Sequence, residues 1–270
     1  MKLDSVSVLP CYNSYDNDIV EEFYNKVFEY AKNYDRASAY FDSKILSLYG
    51  RGMSNIYHNS GKVRFIFSYD LSEDDYELMK NGYQNREKIE KDLLFRIEYD
   101  ELSEEQKLSF ENIAFLIQIG LVDIKIAFTK TGIFHDKFGL IYDDKNTIYF
   151  RGSNNETENA IIFSFESFET TCSWNASDNE QFKINKHKEL FERLWDNKQN
   201  DVIVVEIPEI VKDNIIKYSK NKINDNITIL YTNKLVLDID KNNNLLCKNF
   251  LNPNKIDIRD IPIKEFLKNY

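Results

Sequence analysis

Five polar side chains in the middle of the chain are of the types that phosphoryl transfer uses. His135 and Lys137 alternate along one apolar run, Ser153 and Asn155 follow a glycine, and Glu166 lies in the run FSFESFETT. A histidine ring can attack phosphorus and form a phosphohistidine, which divides one difficult displacement into two easier ones. Lysine and asparagine can hold phosphate oxygens, and a glutamate can orient the imidazole. The set predicts phosphodiester chemistry that needs neither a metal ion nor another cofactor.

A predicted β-hairpin positions four of these residues. Two strand-like runs, 134–142 and 147–154, are separated by the polar turn Asp143–Asn146. A turn centred near Lys145 pairs residues whose numbers sum to about 290, and partners across two strands share a face. The predicted polar face therefore consists of His135, Lys137, Ser153 and Asn155.

The even-numbered face of this hairpin is predicted to be the core face. All of its members are apolar: Phe134, Phe138, Leu140, Tyr142, Ile148 and Phe150. A slip of one residue would bury the polar set, so the pattern predicts one register.

These residues resemble the signature of a known enzyme superfamily. His-x-Lys at 135–137 followed by Gly-Ser-x-Asn at 152–155 resembles the phospholipase D superfamily, and the later Glu166 resembles its nuclease branch. The text FHDKFGLIYDD…FRGSNNET…FESFETTCSW is similar to nuclease modules of bacterial restriction and phage-defence systems, which are often joined to a helicase motor. The resemblance covers roughly residues 37–220. It implies catalytic roles for His135, Lys137, Ser153, Asn155 and Glu166.

One departure from the superfamily pattern bears on the substrate. The lipase branch has an aspartate five residues after the lysine, where this chain has Tyr142, and Asp143 follows one place late. The nuclease branch tolerates that absence, so the departure disfavours a lipase.

Several site assignments have alternatives. Ser153 could serve as a hydroxyl at a strand end. Glu166 could face solvent, with Glu169 as the near alternative, and Arg151 is interpreted as a solvated charge more than as a phosphate contact. Four nearby aromatic residues are predicted to lie in the core and not to stack on nucleic-acid bases: Phe163, Phe165, Phe168 and Trp174.

The chain carries only one His-x-Lys pair. His58 and His187 have no lysine two residues later, and both are predicted to be ordinary surface histidines. The superfamily site normally uses two such pairs, one histidine attacking and the other protonating the leaving oxygen. A homodimer in which two copies of His135 share one active site is therefore predicted.

Composition limits the remaining function classes. The formal net charge of −10 disfavours tight unaided DNA binding and anionic membrane surfaces, although it does not exclude a local basic groove. The candidates for that groove are Lys125, Lys130, Lys137, Arg151, Lys183, Lys186 and Lys188. Three distant cysteines give no disulfide framework, and the absence of a signal peptide or apolar span predicts a cytoplasmic protein.

Hydrophobic periodicity predicts alternating helices and strands. Helices are predicted over about 18–33, 42–50, 73–81, 85–99, 103–120, 178–195 and 209–219. Strands besides the hairpin are predicted over about 36–41, 62–69, 122–129, 163–174 and 201–207. Gly50 or Gly52 is expected to end the second helix, and a helical turn is expected near 156–161. The alternation predicts an α/β fold, and the resemblance implies a phospholipase D-like mixed β-sheet flanked by helices, with Tyr40 or Phe41 lining the cleft.

A composition shift near residue 221 predicts a second region. The polar run KNKINDN precedes three short strand-like runs, about 227–231, 235–240 and 244–250. We therefore predict a nuclease domain over 1–220 and a small C-terminal β-rich appendage or linker over 221–270. In helicase-joined modules the motor begins about here, so a separate helicase or ATPase is a candidate partner.

The sequence thus predicts a metal-independent nuclease that cuts single- or double-stranded DNA through a phosphohistidine on His135, in bacterial anti-phage defence or restriction. Two alternatives remain. One is a non-enzymatic module that binds nucleic acid or a helicase, and the less favoured one is a phospholipase-type transferase.

Overall fold

The structure is a computed structural model that describes most of the chain. It describes residues 2–39, 50–68, 99–102, 104–130, 133–155, 164–224, 235–239, 244–249 and 261–262. The chain forms two compact units, Met1–Thr228 and Ile229–Tyr270. The domain boundary at residue 220 stays a prediction.

The first unit contains an eight-stranded mixed sheet. Its strands are β1 (Cys11–Asn13), β2 (Asn33–Ser38), β3 (Lys62–Ser68), β4 (Val122–Thr129), β5 (Phe138–Tyr142), β6 (Thr147–Gly152), β7 (Ser167–Cys172) and β8 (Val202–Glu206). They lie in the order β1-β7-β6-β5-β2-β3-β4-β8. The pairs β2–β3 and β3–β4 are parallel, and the other pairs are antiparallel.

Helices accompany this sheet. They are α1 (Lys26–Phe28), α2 (Gly50–His58), α3 (Glu104–Gln118), α4 (Asp178–Trp195) and α5 (Glu209–Ile216), with 3₁₀ turns at Leu3–Ser5 and Tyr99–Glu101. A π-helical segment, Ile19–Asn25, leads into α1. The predicted α/β class with a mixed sheet flanked by helices is confirmed.

Both faces of the hairpin β5–β6 are buried, which contradicts the predicted polar and apolar faces. Phe138 and Leu140 pack with Ile184 and Phe191 of α4. Phe150 instead lies in an aromatic cluster on the other face. Its ring centroid is 5.2 Å from that of Phe23 in the π-helical segment. Because helices cover both faces of a central sheet, alternation within these strands does not separate core from solvent.

The hairpin register also differs from the prediction by one residue. Leu140 pairs with Tyr149, whereas the predicted register pairs it with Phe150. His135 and Lys137 precede β5 and lie outside the paired ladder. The polar residues therefore meet beyond the strand ends, where the alternation rule does not apply.

Two helix predictions are wrong in instructive ways. Gly50 and Gly52 do not end a helix, since α2 includes both and continues to His58. A Cβ at Gly52 would lie 2.4 Å from the Phe28 ring, so this glycine permits close packing of α2 on α1. The helix predicted over 18–33 is largely π-helical, with Asp18 capping it by accepting from the Glu21 N–H.

Some predictions fall on residues outside the described part of the chain. They are the whole predicted helix over 73–81, the predicted helices over 42–50 and 85–99 apart from their last residues, the turn near 156–161, the strand near 227–231, and the side chains of Tyr40, Phe41 and Phe163. The strand β1 lies before the first predicted element and was not predicted.

The second unit contains an antiparallel sheet in the order β11-β10-β9. Its strands are β9 (Leu235–Ile239), β10 (Asn244–Asn249) and β11 (Ile261–Pro262). Two of these strands occupy the positions that the sequence predicts. None of the helices in the part of the chain that the structure describes has the length and apolarity needed to span a membrane.

Candidate active site

One edge of the large sheet collects the predicted site residues. β5 begins at this edge, β6 ends there and β7 begins there, because each pairs antiparallel with the next. β2 also ends there, since Ala37 pairs with Phe138. His135 and Lys137 therefore lie at this edge just before β5, Ser153 lies there just after β6, and Glu166 lies there just before β7.

His135 and Lys137 are in direct contact. The Lys137 Nζ lies 3.0 Å from the His135 Nε2 and 3.2 Å from the Nδ1. The histidine is exposed, whereas the lysine side chain is buried, with 7% of the residue exposed. An exposed ring thus lies against an ammonium group supplied from the protein interior.

A buried arginine lies behind this pair, and the sequence analysis did not identify it. Arg36 of β2 is fully buried, and its Nη2 donates to the backbone carbonyl of Asn154 over 2.7 Å. Burial lowers the pKa of Lys137 below its ordinary value, and the positive charge of Arg36 lowers it further. The signal in the sequence was an arginine at the start of the apolar strand predicted over 36–41, because a buried charge requires partners.

Ser153 and Glu166 are joined across the ends of β6 and β7. The Ser153 Oγ donates to the Glu166 carboxylate, and the Ser153 N–H donates to the Ser167 carbonyl over 2.9 Å. The Ser167 N–H in turn donates to the Ser153 Oγ over 3.2 Å. The serine hydroxyl therefore satisfies a strand end and also holds the glutamate.

Gly152 permits this junction. A Cβ at that position would lie 2.1 Å from the Ser167 carbonyl oxygen, which is far inside ordinary contact. The glycine of the Gly-Ser-x-Asn motif is thus explained by the close approach of β6 to β7. Glu169, the alternative to Glu166, lies within the β7 ladder opposite Arg151.

Two asparagines complete the turn after β6. Asn154 is fully buried, and its Nδ2 lies 3.4 Å from the Tyr24 hydroxyl. The Oδ1 of Asn155 is buried without a hydrogen-bond partner among the described residues. Buried acceptors are rarely left unpaired, so this oxygen is a candidate for a contact with bound water or substrate.

Ion pairs neutralise part of the candidate basic groove. Arg151 lies 2.9 Å from the Asp136 carboxylate, Lys125 lies 2.8 Å from Glu206, and Lys186 lies 2.9 Å from Glu189. Among the described basic residues at the site, Lys137 and Arg36 supply positive charge from buried positions. This buried positive charge lies next to His135.

Asp143 is placed away from the site. It lies after the far end of β5 and accepts N–H groups from Lys145 over 2.8 Å and Asn146 over 2.6 Å. It also accepts the Leu3 N–H over 2.9 Å. Burial raises the pKa of Asp143, but these backbone donors outweigh it and hold the pKa below its ordinary value. The residue therefore caps the hairpin turn.

His187 is not an ordinary surface histidine. Its Nδ1 lies 2.9 Å from the Lys183 carbonyl, so it donates, and its Nε2 accepts from the Tyr149 hydroxyl over 3.1 Å. The ring also packs edge-to-face on Phe138. This satisfied histidine has a packing role, whereas His58 is exposed as predicted.

The aromatic residues near Glu166 divide into two groups. Phe168 is buried and Trp174 is half-buried, in line with the predicted core role. Phe165 is 70% exposed, so its predicted core role is wrong. Glu166 and Ser164, its neighbours, are tied by hydrogen bonds to Ser14, which leaves the ring outside the core.

Comparison with known proteins gives structural neighbours only. No protein-family model and no curated protein matches the chain. Similar solved structures include NucT from Helicobacter pylori, with 17% identity, 72% of this chain and 98% of that chain covered, and a TM-score of 0.41. Another is Nuc from Salmonella typhimurium, a phospholipase D family member, with 13% identity, 73% and 97% covered, and a TM-score of 0.36. Phosphatidylserine synthase from Haemophilus influenzae has 13% identity, 77% and 45% covered, and a TM-score of 0.40.

The identities of these neighbours are 13–17% and their TM-scores are 0.36–0.41. At such identities and TM-scores they carry no evidence about the substrate or the mechanism of this chain.

Proposed function

We propose that this chain is a phospholipase D-like phosphodiesterase that cleaves DNA through a covalent phosphohistidine on His135. The observation that carries the proposal is the exposed His135 ring against the Lys137 ammonium, at 3.0 and 3.2 Å. Ser153 and Glu166 meet at the same sheet edge. A nucleophile, a cation and a carboxylate at one edge match what phosphodiester cleavage requires.

In the first step, a ring nitrogen of His135 attacks phosphorus. The N–P bond forms as the bond from phosphorus to the leaving oxygen breaks, and that oxygen takes a proton from a general acid. In the second step, water attacks phosphorus as the N–P bond breaks, and the proton of the water passes to the group that acted as general acid, so both that group and the histidine are regenerated. No change of oxidation state occurs.

Lys137 and Arg36 stabilise charge in this scheme. The Lys137 ammonium moves from the ring to the non-bridging phosphate oxygens when substrate arrives, because an anionic oxygen is a stronger acceptor than a neutral ring nitrogen. Arg36 remains buried and adds positive potential behind it. The amide of Asn155 is a further group for a phosphate oxygen.

Glu166 is a positioning residue in the proposal. Its carboxylate is held by the Ser153 hydroxyl and contributes negative charge that is felt at Lys137. A carboxylate in this place favours the orientation of the histidine that attacks, as in other histidine-dependent sites. Loss of either residue is expected to reduce the rate without removing the nucleophile.

The general acid is proposed to be the partner subunit's His135 in a two-fold homodimer. Of the three histidines, His58 ends α2 and His187 is packed against Tyr149, and neither is followed by a lysine two residues later. Mixing His135→Ala chains with wild-type chains should therefore depress activity more than dilution does. A linear decrease with the fraction of variant would contradict the shared site.

The decisive experiment compares wild type with His135→Ala in excess EDTA. Substrates are labelled single-stranded and duplex DNA and bis(p-nitrophenyl) phosphate, with His58→Ala as the matched control. Cleavage that survives EDTA, persists in the control and vanishes in His135→Ala supports the mechanism. Cleavage by His135→Ala, or only with added metal, overturns it. No cleavage by any variant would favour the non-enzymatic binding module.

A role in restriction or phage defence, with a separate helicase or ATPase as partner, is part of the proposal. Its support is the resemblance of FHDKFGLIYDD…FRGSNNET to modules of such systems. Protection of bacteria that express the chain from phage infection, lost in His135→Ala, is the corresponding test.

A further inference from the structure

Two exposed aromatic rings lie beside the proposed site. Phe165 is 70% exposed and Tyr15 is 66% exposed, and with Phe182 at 62% they are the most exposed large apolar side chains among the described residues. The Tyr15 and Phe165 ring centroids are 5.7 Å apart with an interplanar angle of 48°. Exposure of two large rings to water is unfavourable, and a partner that covers them would gain free energy by burying their apolar surface.

The same hydrogen-bond clamp holds the backbone next to these rings and to Glu166, the proposed positioning residue. Ser14, which is buried, donates its N–H to the Glu166 carbonyl over 2.9 Å and its Oγ to the Ser164 carbonyl over 2.6 Å. The Glu166 N–H donates back to the Ser14 Oγ over 3.0 Å. Tyr15 follows Ser14 and Phe165 precedes Glu166, so the rings are fixed next to the site by backbone connections.

The charge around the rings disfavours phosphate as their ligand. Asp16 follows Tyr15 directly, and its carboxylate accepts from Asn13 over 2.6 Å at the surface. Asp18 and Glu22 lie on the same segment. An acidic surface repels phosphates, whereas the neutral face of a nucleobase is attracted to an aromatic ring by stacking.

We infer that Tyr15 and Phe165 form a stacking platform for the unpaired bases of a single-stranded DNA substrate. The inference rests on the proposed function, which brings a phosphodiester to His135. Bases in a duplex are stacked on their neighbours and do not present their faces, so the platform selects single strands over duplexes. Affinity then comes from base faces next to the site, and phosphate contacts are concentrated at Lys137.

The test measures DNA binding in the His135→Ala background, in which the proposed nucleophile is absent. Ligands are a labelled thymidine oligonucleotide, an abasic strand of equal length, and the corresponding duplex. The abasic strand keeps every phosphate and lacks every base. Tyr15→Ala and Phe165→Ala are compared with Phe182→Ala, which removes an equally exposed ring from α4.

Binding of the thymidine strand is expected to weaken roughly 5-fold or more in each platform variant. A 5-fold loss is about the smallest effect expected when one base loses its stacking partner. Binding of the abasic strand should change less than about 2-fold, because its phosphates are untouched. Phe182→Ala should bind both strands as its parent does. Circular dichroism and sedimentation establish that fold and oligomeric state are retained.

Several results would overturn the inference. They are equal losses for the thymidine and abasic strands, no preference of the parent for the thymidine strand, and loss of duplex binding alone. A change in oligomeric state confined to the platform variants would assign the rings to a protein interface instead. Absence of bis(p-nitrophenyl) phosphate hydrolysis by wild type refutes the proposed chemistry separately, since the binding assay does not depend on turnover.

Discussion

The glycine at the end of β6 offers a sharp test of how the site is built. In Gly152→Ala the new Cβ would lie 2.1 Å from the Ser167 carbonyl oxygen and 2.4 Å from the Phe168 Cβ. Ordinary contact begins at 3.4 Å, so β6 and β7 must separate locally by about 1 Å. The obstacles are a backbone carbonyl and a Cβ, neither of which can rotate away.

The expected loss of stability is large for the addition of one methyl group. Overpacking costs about 1–3 kcal/mol, and a collision with backbone belongs at the upper end of that range. The lower entropy of the unfolded alanine chain returns about 0.4–1 kcal/mol. We expect Gly152→Ala to lower the free energy of unfolding by about 2–2.6 kcal/mol.

Activity is expected to fall further than stability alone would require. Ser153 follows the displaced residue and holds Glu166, so the shift separates the groups that line the site. A misplacement of about 1 Å can cost on the order of 100-fold in rate. Turnover of bis(p-nitrophenyl) phosphate, measured well below the unfolding transition, reports this loss.

Gly120→Ala is the matched control. Gly120 has a φ of 73°, and a Cβ there would meet no described heavy atom within 4 Å. Its cost comes from the left-handed backbone alone, about 1 kcal/mol, and activity should be kept. Urea denaturation compares the two variants. If Gly152→Ala unfolds with a free energy within about 0.5 kcal/mol of wild type, the close approach of β6 and β7 is refuted.

Three further predictions concern charged groups. The pKa of Lys137 is lowered by burial and then by its neighbouring arginine, so the alkaline limb of the pH–rate profile should lie below the ordinary lysine value of 10.5. Lys137→Arg should move that limb to higher pH, and an unmoved limb would implicate another group. Asp143→Ala should destabilise the fold by about 1–2 kcal/mol. Because the folded-state pKa of Asp143 is lowered, the stability lost in Asp143→Ala depends on pH. Urea denaturation should show the full loss above the unfolded-state pKa of 3.8, and the loss should disappear as pH falls through the folded-state pKa. Asp35→Asn breaks the buried pair with Arg64, at 2.7 Å, and should cost about 3 kcal/mol in thermal unfolding. Asp144 forms an exposed ion pair with Lys32, so Asp144→Asn should cost under about 1 kcal/mol of stability. Equal losses of stability in Asp35→Asn and Asp144→Asn would contradict the role of burial.

Several elements could be predicted from the sequence because their causes are local. The helix α4 begins and ends where its periodicity and its flanking residues predict, at Asp178 and Trp195. The strand Val122–Thr129 was likewise predicted with its observed bounds. Alternation and helical periodicity depend on residues a few positions apart, which the sequence displays directly.

The sequence also predicts which residues come together at the candidate site, but it does not predict how they are arranged. The spacing of His135, Lys137 and Ser153 predicts that they meet, and the structure brings the first two into contact. The predicted reason, one polar face of a hairpin, is wrong. The residues meet because strands β5, β6 and β7 begin or end at one edge of the sheet.

Only the tertiary structure showed the roles of Arg36 and His187. Arg36 lies beneath Lys137 because β2 pairs with β5, and His187 packs on Tyr149 because α4 crosses that face of the sheet. The exposure of Phe165 likewise follows from the hydrogen bonds that its neighbours Ser164 and Glu166 make with Ser14, which is far away in the chain. Sequence by itself determined which side chains and which local elements this protein has. Burial, register and partners depended on contacts between segments far apart in the chain, whose pairing no local pattern specifies.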